Sequence, residues 1–226
     1  MPALRHATLS EQAYEELRAR IVSGRLPAGR RLLAEELASE LAISPTPVKE
    51  ALAALERDGL VEGTARRASV VRRFTGEDIA EIYDARILIE TEAVARALRA
   101  RRVDGVFLAE LADLFERQMA HAERRNDGGL AEAIRLDREF HEAIVARGGN
   151  RVLVGWHRIL LRQTQTIRSY SIERYDITRS RTEHGAILAT LRAGRVAPAV
   201  RAMRLHLEAS RAEMLSRPPG ELPPRP

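Results

Sequence analysis

Residues 34 to 71 restrict the fold more than any other stretch of this 226-residue chain. Ala34-Glu35-Glu36-Leu37-Ala38-Ser39-Glu40-Leu41 places Leu37 and Leu41 one helical turn apart, on a single buried stripe. A tight turn at Ala42-Ile43 separates this pattern from a second one. Ser44 offers a side-chain oxygen to the open backbone N–H groups of the second helix, and Pro45 takes its first position, where a missing N–H costs no hydrogen bond. Val48, Leu52 and Leu55 recur at three and four residues, Asp58 closes the pattern, and Gly59 can adopt the left-handed conformation that ends it. Leu60-Val61-Glu62 and Ser69-Val70-Val71 then read as strands around Gly63-Thr64-Ala65-Arg66-Arg67, a turn with two guanidinium groups at its tip. Two short helices followed by a basic hairpin make a winged helix-turn-helix.

Double-stranded DNA is the expected partner of such a unit. The major groove of B-DNA is about 12 Å wide and admits one α-helix, whose N-terminal side chains face base edges. Ser44, Thr46 and Lys49 take that place here. Arg66 and Arg67 at the wing tip would reach phosphates or the adjacent minor groove, which supplies affinity more than sequence choice. An amphipathic helix pair alone would equally suit an ordinary globular domain; the wing favours DNA.

Composition narrows the chemistry. The chain carries 37 basic and 32 acidic residues, a formal net charge of +5. Lys49 is the sole lysine, so nearly every cation is a guanidinium suited to bidentate carboxylate or phosphate contacts. Genomic base composition accounts for most of that arginine excess, and the charge alone does not establish nucleic-acid binding. The absence of cysteine excludes disulfides and thiolate metal sites, leaving nitrogen and oxygen as the only metal ligands. No stretch reads as a membrane span or signal segment, so a soluble, cytoplasmic protein is expected.

A first helix is expected from about Thr8 to Ser23, with Ala13, Tyr14, Leu17 and Ile21 on one stripe, ending at Gly24 before the Leu26-Pro27-Ala28-Gly29 turn. It completes a DNA-binding domain over residues 1–74. Beyond Phe74 the strand pattern gives way to helical periodicity up to Ser216. Breaks at Val103-Asp104-Gly105, Asn126 to Gly129, Gly148-Gly149-Asn150, near Ile172 and at Gly194 delimit six helices over residues 75–216. With four phenylalanines, four tyrosines and one tryptophan in the chain, their core must be mostly Leu, Ile, Val and Ala, in close packing. The expected class is mostly α: a winged domain followed by an all-α six-helix bundle. Residues 217–226 are half proline and are expected to be disordered.

The bundle contains a second constellation. Asp137 and His141 are four apart on a helix marked by Phe140, Ile144 and Val145, so carboxylate and imidazole project side by side. His184 lies one turn before Ile187-Leu188 on an inward stripe, and His206 follows Met203 by three residues on the inner edge of the last helix. Singly, each suits a core histidine bonded to a carbonyl. Jointly, one carboxylate and three imidazoles suit Zn²⁺, Ni²⁺ or Mn²⁺, held between facing helices of a bundle. His121 and His157 fit no ligand position and are expected to be structural or exposed.

The chain resembles the GntR family of bacterial transcription regulators. The resemblance lies in Tyr14-Glu15-Glu16-Leu17 through Leu26-Pro27-Ala28-Gly29, Leu37-Ala38, Ser44 to Leu52, and Leu55-Glu56-Arg57-Asp58-Gly59-Leu60-Val61. Three positions depart from the family pattern: Pro45 and Glu35 stand where arginines that contact DNA are found, and Ala68 stands where the wing commonly has glycine. The C-terminal half resembles the ligand-sensing FCD domain of FadR-type members, through Arg86-Ile87-Leu88-Ile89-Glu90, Asp137-Arg138-Glu139-Phe140-His141, Gly149-Asn150-Arg151, Glu183-His184 and Met203-Arg204-Leu205-His206-Leu207. Six helices resemble the smaller, VanR-like branch.

This resemblance implies a homodimeric repressor reading a near-palindromic operator. It maps metal ligands onto Asp137, His141, His184 and His206, and implies a small organic acid as effector, assisted by an arginine for which Arg86 is the candidate. Arg86 is equally placed to pair with Glu90 one turn on. Two other classes compete. A metal-dependent hydrolase lacks its signature, since His141-Glu142 is followed by Val145 where a second histidine would stand. A structural DNA binder without a sensor predicts that His184→Ala changes neither ligand response nor metal content.

Overall fold

The computed structural model describes residues 7–63, 68–169 and 175–216. The wing-tip arginines Arg66 and Arg67, the break near Ile172 and the tail 217–226 lie outside them. Among the described residues are nine α-helices and three short strands, so the fold is mostly α. The chain divides into two compact units, one ending at Arg73 and one beginning at Phe74.

In the first unit, α1 (Leu9–Val22) opens with a reciprocal cap: Glu11 N–H donates to Thr8 Oγ1 at 3.2 Å and Thr8 N–H donates to Glu11 Oε2 at 2.7 Å. Its buried stripe is Ala13, Leu17 and Ile21; Tyr14 is half-buried and donates through its hydroxyl to Asp58 Oδ2 at 2.5 Å. Helices α2 (Ala34–Leu41) and α3 (Pro45–Arg57) follow the expected bounds. The α2 stripe differs from expectation, for Ala34, Leu37 and Ala38 are buried whereas Leu41 is only half-buried in the last turn.

Ser44 occupies the N-cap of α3 with extended backbone but makes no capping hydrogen bond with its side chain. The bond a serine cap makes to the third helical residue is excluded, since that residue is Pro47, which has no N–H. Gly59, at φ +69°, terminates α3 as expected. Leu60 is buried ahead of the strand rather than within it, and Gly63 belongs to a strand rather than to the turn. β2 (Val61–Gly63) and β3 (Ser69–Val71) pair antiparallel with Val61 opposite Val71. A further strand, β1 (Arg31–Leu32), pairs with β3 on its other side, giving the order β1-β3-β2.

The second unit contains, among described residues, six helices: α4 (Gly76–Arg99), α5 (Gly105–Ala122), α6 (Asp127–Arg147), α7 (Arg151–Ser169), α8 (Ile177–Arg192) and α9 (Val196–Leu215). Short polar side chains start them: Asp104, Asn126 and Asp176 each accept a backbone N–H from the first turn that follows. Gly128 and Gly129 lie inside α6 rather than in the break, because Asn126 caps the helix ahead of them. A Cβ at Gly129 would come within 2.6 Å of the His121 carbonyl oxygen, so only glycine fits. The core gathers Ile87 and Val94 of α4, Phe107, Leu111 and Phe115 of α5, Phe140 of α6, Leu188 of α8 and Met203 of α9. No helix among the described residues is long and apolar enough to cross a membrane.

Ala42 joins α2 to α3 with a left-handed backbone at φ 54°. That conformation costs a non-glycine residue about 1–2 kcal/mol, part of which glycine recovers against its greater freedom when unfolded. Ala42→Gly is therefore expected to stabilise the first unit by about 0.5–1 kcal/mol. Denaturant unfolding of the full chain should show this as a raised midpoint at unchanged slope.

Candidate functional site

At the start of α3, Ser44, Thr46 and Lys49 are all exposed, as a groove-reading surface requires. Lys49 is not a bare cation: its Nζ lies 3.1 Å from Glu35 Oε1 on α2, with both side chains more than half exposed. Such a pair adds little stability. It does place a carboxylate on the face where DNA phosphates would lie. The fourteen-residue separation hides this contact from any periodicity in the sequence.

The second site is built at the middle of the bundle. Asp137 and His141 project from α6, His184 from α8 and His206 from α9; all four are buried, and one heteroatom from each lies within 4.8 Å of the others. Each imidazole is held from behind through Nδ1. His141 Nδ1 lies 2.6 Å from Glu90 Oε2, His206 Nδ1 lies 2.8 Å from Glu183 Oε2, and His184 Nδ1 lies 2.9 Å from the Ser180 carbonyl. Carboxylate and carbonyl oxygens accept, so these contacts favour a proton on Nδ1 and an Nε2 lone pair turned inward.

The inward-facing atoms then oppose one another as acceptors. His141 Nε2 and His206 Nε2 are 3.1 Å apart, and His184 Nε2 stands 3.3 Å from Asp137 Oδ1 with no hydrogen bond formed. Buried lone pairs so arranged repel one another unless a proton or a cation lies between them. A borderline divalent metal with nitrogen and oxygen ligands fits this donor set, and the Nδ1 contacts are those that orient metal-binding histidines.

The electrostatics agree with this arrangement. Burial lowers the pKa of His141, against the opposing pull of Glu90, and burial with the neighbouring His184 and His141 rings holds His206 well below the usual imidazole value. Neutral imidazoles are the form that binds metal. Burial alone would raise Asp137, but the Arg168 guanidinium, whose Nη1 is 2.8 Å from Asp137 Oδ2, holds its carboxyl well below the carboxylate range. Asp137 Oδ1 also accepts from Gln118 Nε2 at 3.2 Å.

Arg86 is wholly buried and forms the expected pair with Glu90, through Nε at 2.8 Å. Its Nη2 has no hydrogen-bond partner. His157 is wholly buried, so the structural alternative holds for it: its Nε2 approaches Glu90 Oε1 to 3.0 Å. His121 is half-buried. Sequence reading missed Glu90 and Glu183 as supports of the cluster. The available signals were the four-residue step from Arg86 to Glu90 and the adjacency of Glu183 to His184, both indistinguishable from surface pairs without the fold. A groove of about 390 Å³ between α8 and α9 reaches Glu183 and His206 and is also lined by Arg201 and Leu205.

The sequence matches the FCD domain family over residues 81–209 and the family described as bacterial regulatory proteins, gntR family, over residues 9–71. It is 33% identical over 144 residues to YdhC of Bacillus subtilis (strain 168), an uncharacterized HTH-type transcriptional regulator; the match spans 63% of this chain and 62% of that protein. An uncharacterized HTH-type transcriptional regulator in the TAR-I ttuE-ttuC' intergenic region of Agrobacterium vitis is 36% identical over 135 residues, 59% of this chain and 77% of that protein. Among solved structures, E. coli McbR/YncC shares the fold with a TM-score of 0.78 at 24% identity, covering 93% of this chain and 99% of that one. The matched families and relatives are regulators rather than enzymes, so the hydrolase alternative has no support.

Two substitutions, with a third as control, probe the two sites. Arg168→Met leaves the Asp137 charge buried and unpaired, and is expected to cost about 3–5 kcal/mol, whereas Arg211→Met, which removes an exposed partner of Asp84, should cost under about 1 kcal/mol. Urea unfolding of both variants makes the comparison. Glu35→Ala removes a carboxylate from the surface that carries Lys49, so DNA binding at low salt should tighten; an unchanged affinity would show that this carboxylate does not face the duplex.

Proposed function

Because the chain belongs to the GntR family of bacterial transcription regulators, with a helix-turn-helix unit followed by an FCD domain, we propose that it is a homodimeric cytoplasmic repressor whose operator affinity responds to a divalent metal and a small organic acid. Residues 1–74 bind DNA and residues 75–216 sense. One recognition helix spans only part of a turn of DNA, so a near-palindromic operator read by two copies supplies the specificity that a single α3 lacks. Ser44, Thr46 and Lys49 read base edges, and Arg66 and Arg67 grip the backbone.

The observation that carries the sensing half is the inward convergence of three imidazole Nε2 atoms and one carboxylate oxygen, each nitrogen made an acceptor by the group behind its ring. Asp137, His141, His184 and His206 would hold Zn²⁺, Ni²⁺ or Mn²⁺, which when bound supplies a Lewis-acidic point for an anionic oxygen. Arg86 assists: its Nε is committed to Glu90, while Nη2 is left to donate to a carboxylate. Capture of that carboxylate draws on groups from α4, α6, α8 and α9 together. A ligand that prefers one arrangement of these helices shifts the population toward it, and the spacing of the two DNA-binding units follows.

Elemental analysis and Zn²⁺ titration of the purified chain test the metal: one ion per chain is expected, with loss of binding in His184→Ala. Stripping the metal with a chelator should lower stability by about 2.7 kcal/mol relative to protein held at one hundred times its dissociation constant. Operator binding of metal-loaded protein, followed by fluorescence anisotropy across a panel of small carboxylic acids, should change about 5- to 150-fold for the cognate class. No response anywhere in the panel would count against the sensor, and full metal binding by His184→Ala would remove the proposed site.

A further inference from the structure

Glu90 is a heavily committed side chain of the bundle. Its carboxylate is wholly buried on α4 and serves three neighbours from three helices. Oε1 accepts from Arg86 Nε at 2.8 Å and is approached by His157 Nε2 at 3.0 Å; Oε2 faces His141 Nδ1 at 2.6 Å. The far nitrogen of that same His141 ring points into the cluster, 3.1 Å from His206 Nε2.

We propose that Glu90, oriented by Arg86, is the positioning residue that selects which nitrogen of His141 is free for the metal, an inference that rests on reading the cluster as a metal centre. A neutral imidazole has one N–H and one lone pair. An ionised carboxylate can only accept, so Glu90 requires the proton on Nδ1 and leaves Nε2 as the ligand. Arg86 can only donate, so whichever atom of residue 90 faces Nε must be an acceptor. The two demands coexist in a carboxylate, which has an acceptor at each end, and conflict in its isosteric amide.

That conflict predicts the behaviour of Glu90→Gln. Its amide oxygen is claimed by Arg86, which turns the NH₂ toward His141 Nδ1. The NH₂ needs an acceptor there, so the His141 proton moves to Nε2 and points into the cluster, where it blocks the metal. Arg86→Met in the same background releases the amide to turn over, because His157, whose Nδ1 has no hydrogen-bond partner, can carry its proton there and accept the NH₂ at Nε2; the oxygen then faces His141 Nδ1 again, and the metal-binding tautomer returns. A simple loss of packing, or of one negative charge near the metal, would not move the proton between ring nitrogens and back.

The test uses the full chain and two readouts: Zn²⁺ affinity by chelator competition, and the His141 tautomer from imidazole ¹⁵N chemical shifts of metal-free protein. Wild type should carry the proton on Nδ1. Glu90→Gln should carry it on Nε2 and bind Zn²⁺ about 10- to 100-fold more weakly. Arg86→Met/Glu90→Gln should restore the Nδ1 tautomer and recover affinity. A Glu90→Gln protein that keeps the Nδ1 tautomer, or binds Zn²⁺ as tightly as wild type, overturns the inference alone, as does a double variant locked in the Nε2 form. If Glu90→Gln does not fold, wild type still decides, for an Nε2–H tautomer there overturns it. A folded wild type that binds no Zn²⁺ removes the metal reading and this inference together.

Discussion

Placing three imidazoles and two carboxylates in the middle of a helical bundle is tolerable only if every polar atom finds a partner, and that requirement shapes the second unit. Leaving one buried polar group unpaired costs about 1–3 kcal/mol, and a charge costs more. The bundle meets this from behind: Glu90, Glu183 and the Ser180 carbonyl take the Nδ1 sides of the three rings, and Arg168 takes one oxygen of Asp137. The inward atoms of Asp137, His141, His184 and His206 face each other at the centre. The packing thus leaves the inward atoms of these four side chains at one point, where a cation would fit.

The helices are held in register by the same contacts. Glu90 ties α4 to α6 and α7, Glu183 ties α8 to α9, and Arg168 ties α7 to α6. A change in ligation at the centre therefore acts on groups whose outer atoms join several helices, and a packed core moves between discrete arrangements rather than deforming smoothly. The surrounding Leu, Ile, Val and Phe residues supply the burial, while the polar network supplies the distinction between one arrangement and another.

In the DNA-binding unit, local chemistry and recognition are linked through prolines. Pro45 presets the first turn of α3, and Pro47 removes one of the two N–H groups that a Ser44 cap could use; the Ser44 side chain makes no capping bond and stands at an exposed helix start. The sequence alone suggested a capped helix because Ser-Pro carries that signal; the residue two further on cancels it. Likewise β1 escaped notice because a two-residue strand has no periodicity, and exists only because Arg31 and Leu32 meet Ser69 and Val70 in space. Helix bounds in both units were legible wherever Thr, Asp, Asn or Gly punctuates the chain. The Gly128-Gly129 pair misled because glycine reads as a break although Asn126 starts the helix before it.

What the amino-acid order determined by itself was the helices, the hairpin and the identity of the ligand-type residues: Asp137, His141, His184 and His206 stand out by residue type and by helical phase, both properties of neighbours a few positions apart. What only the tertiary structure decided was convergence and tautomer. Whether imidazoles from α6, α8 and α9 meet within 4.8 Å depends on helix crossing, and which nitrogen each presents depends on an acceptor 51 residues away for His141 and 23 away for His206. The spacing from ring to partner carries no periodic signal, since a hydrogen bond reads distance in space rather than along the chain.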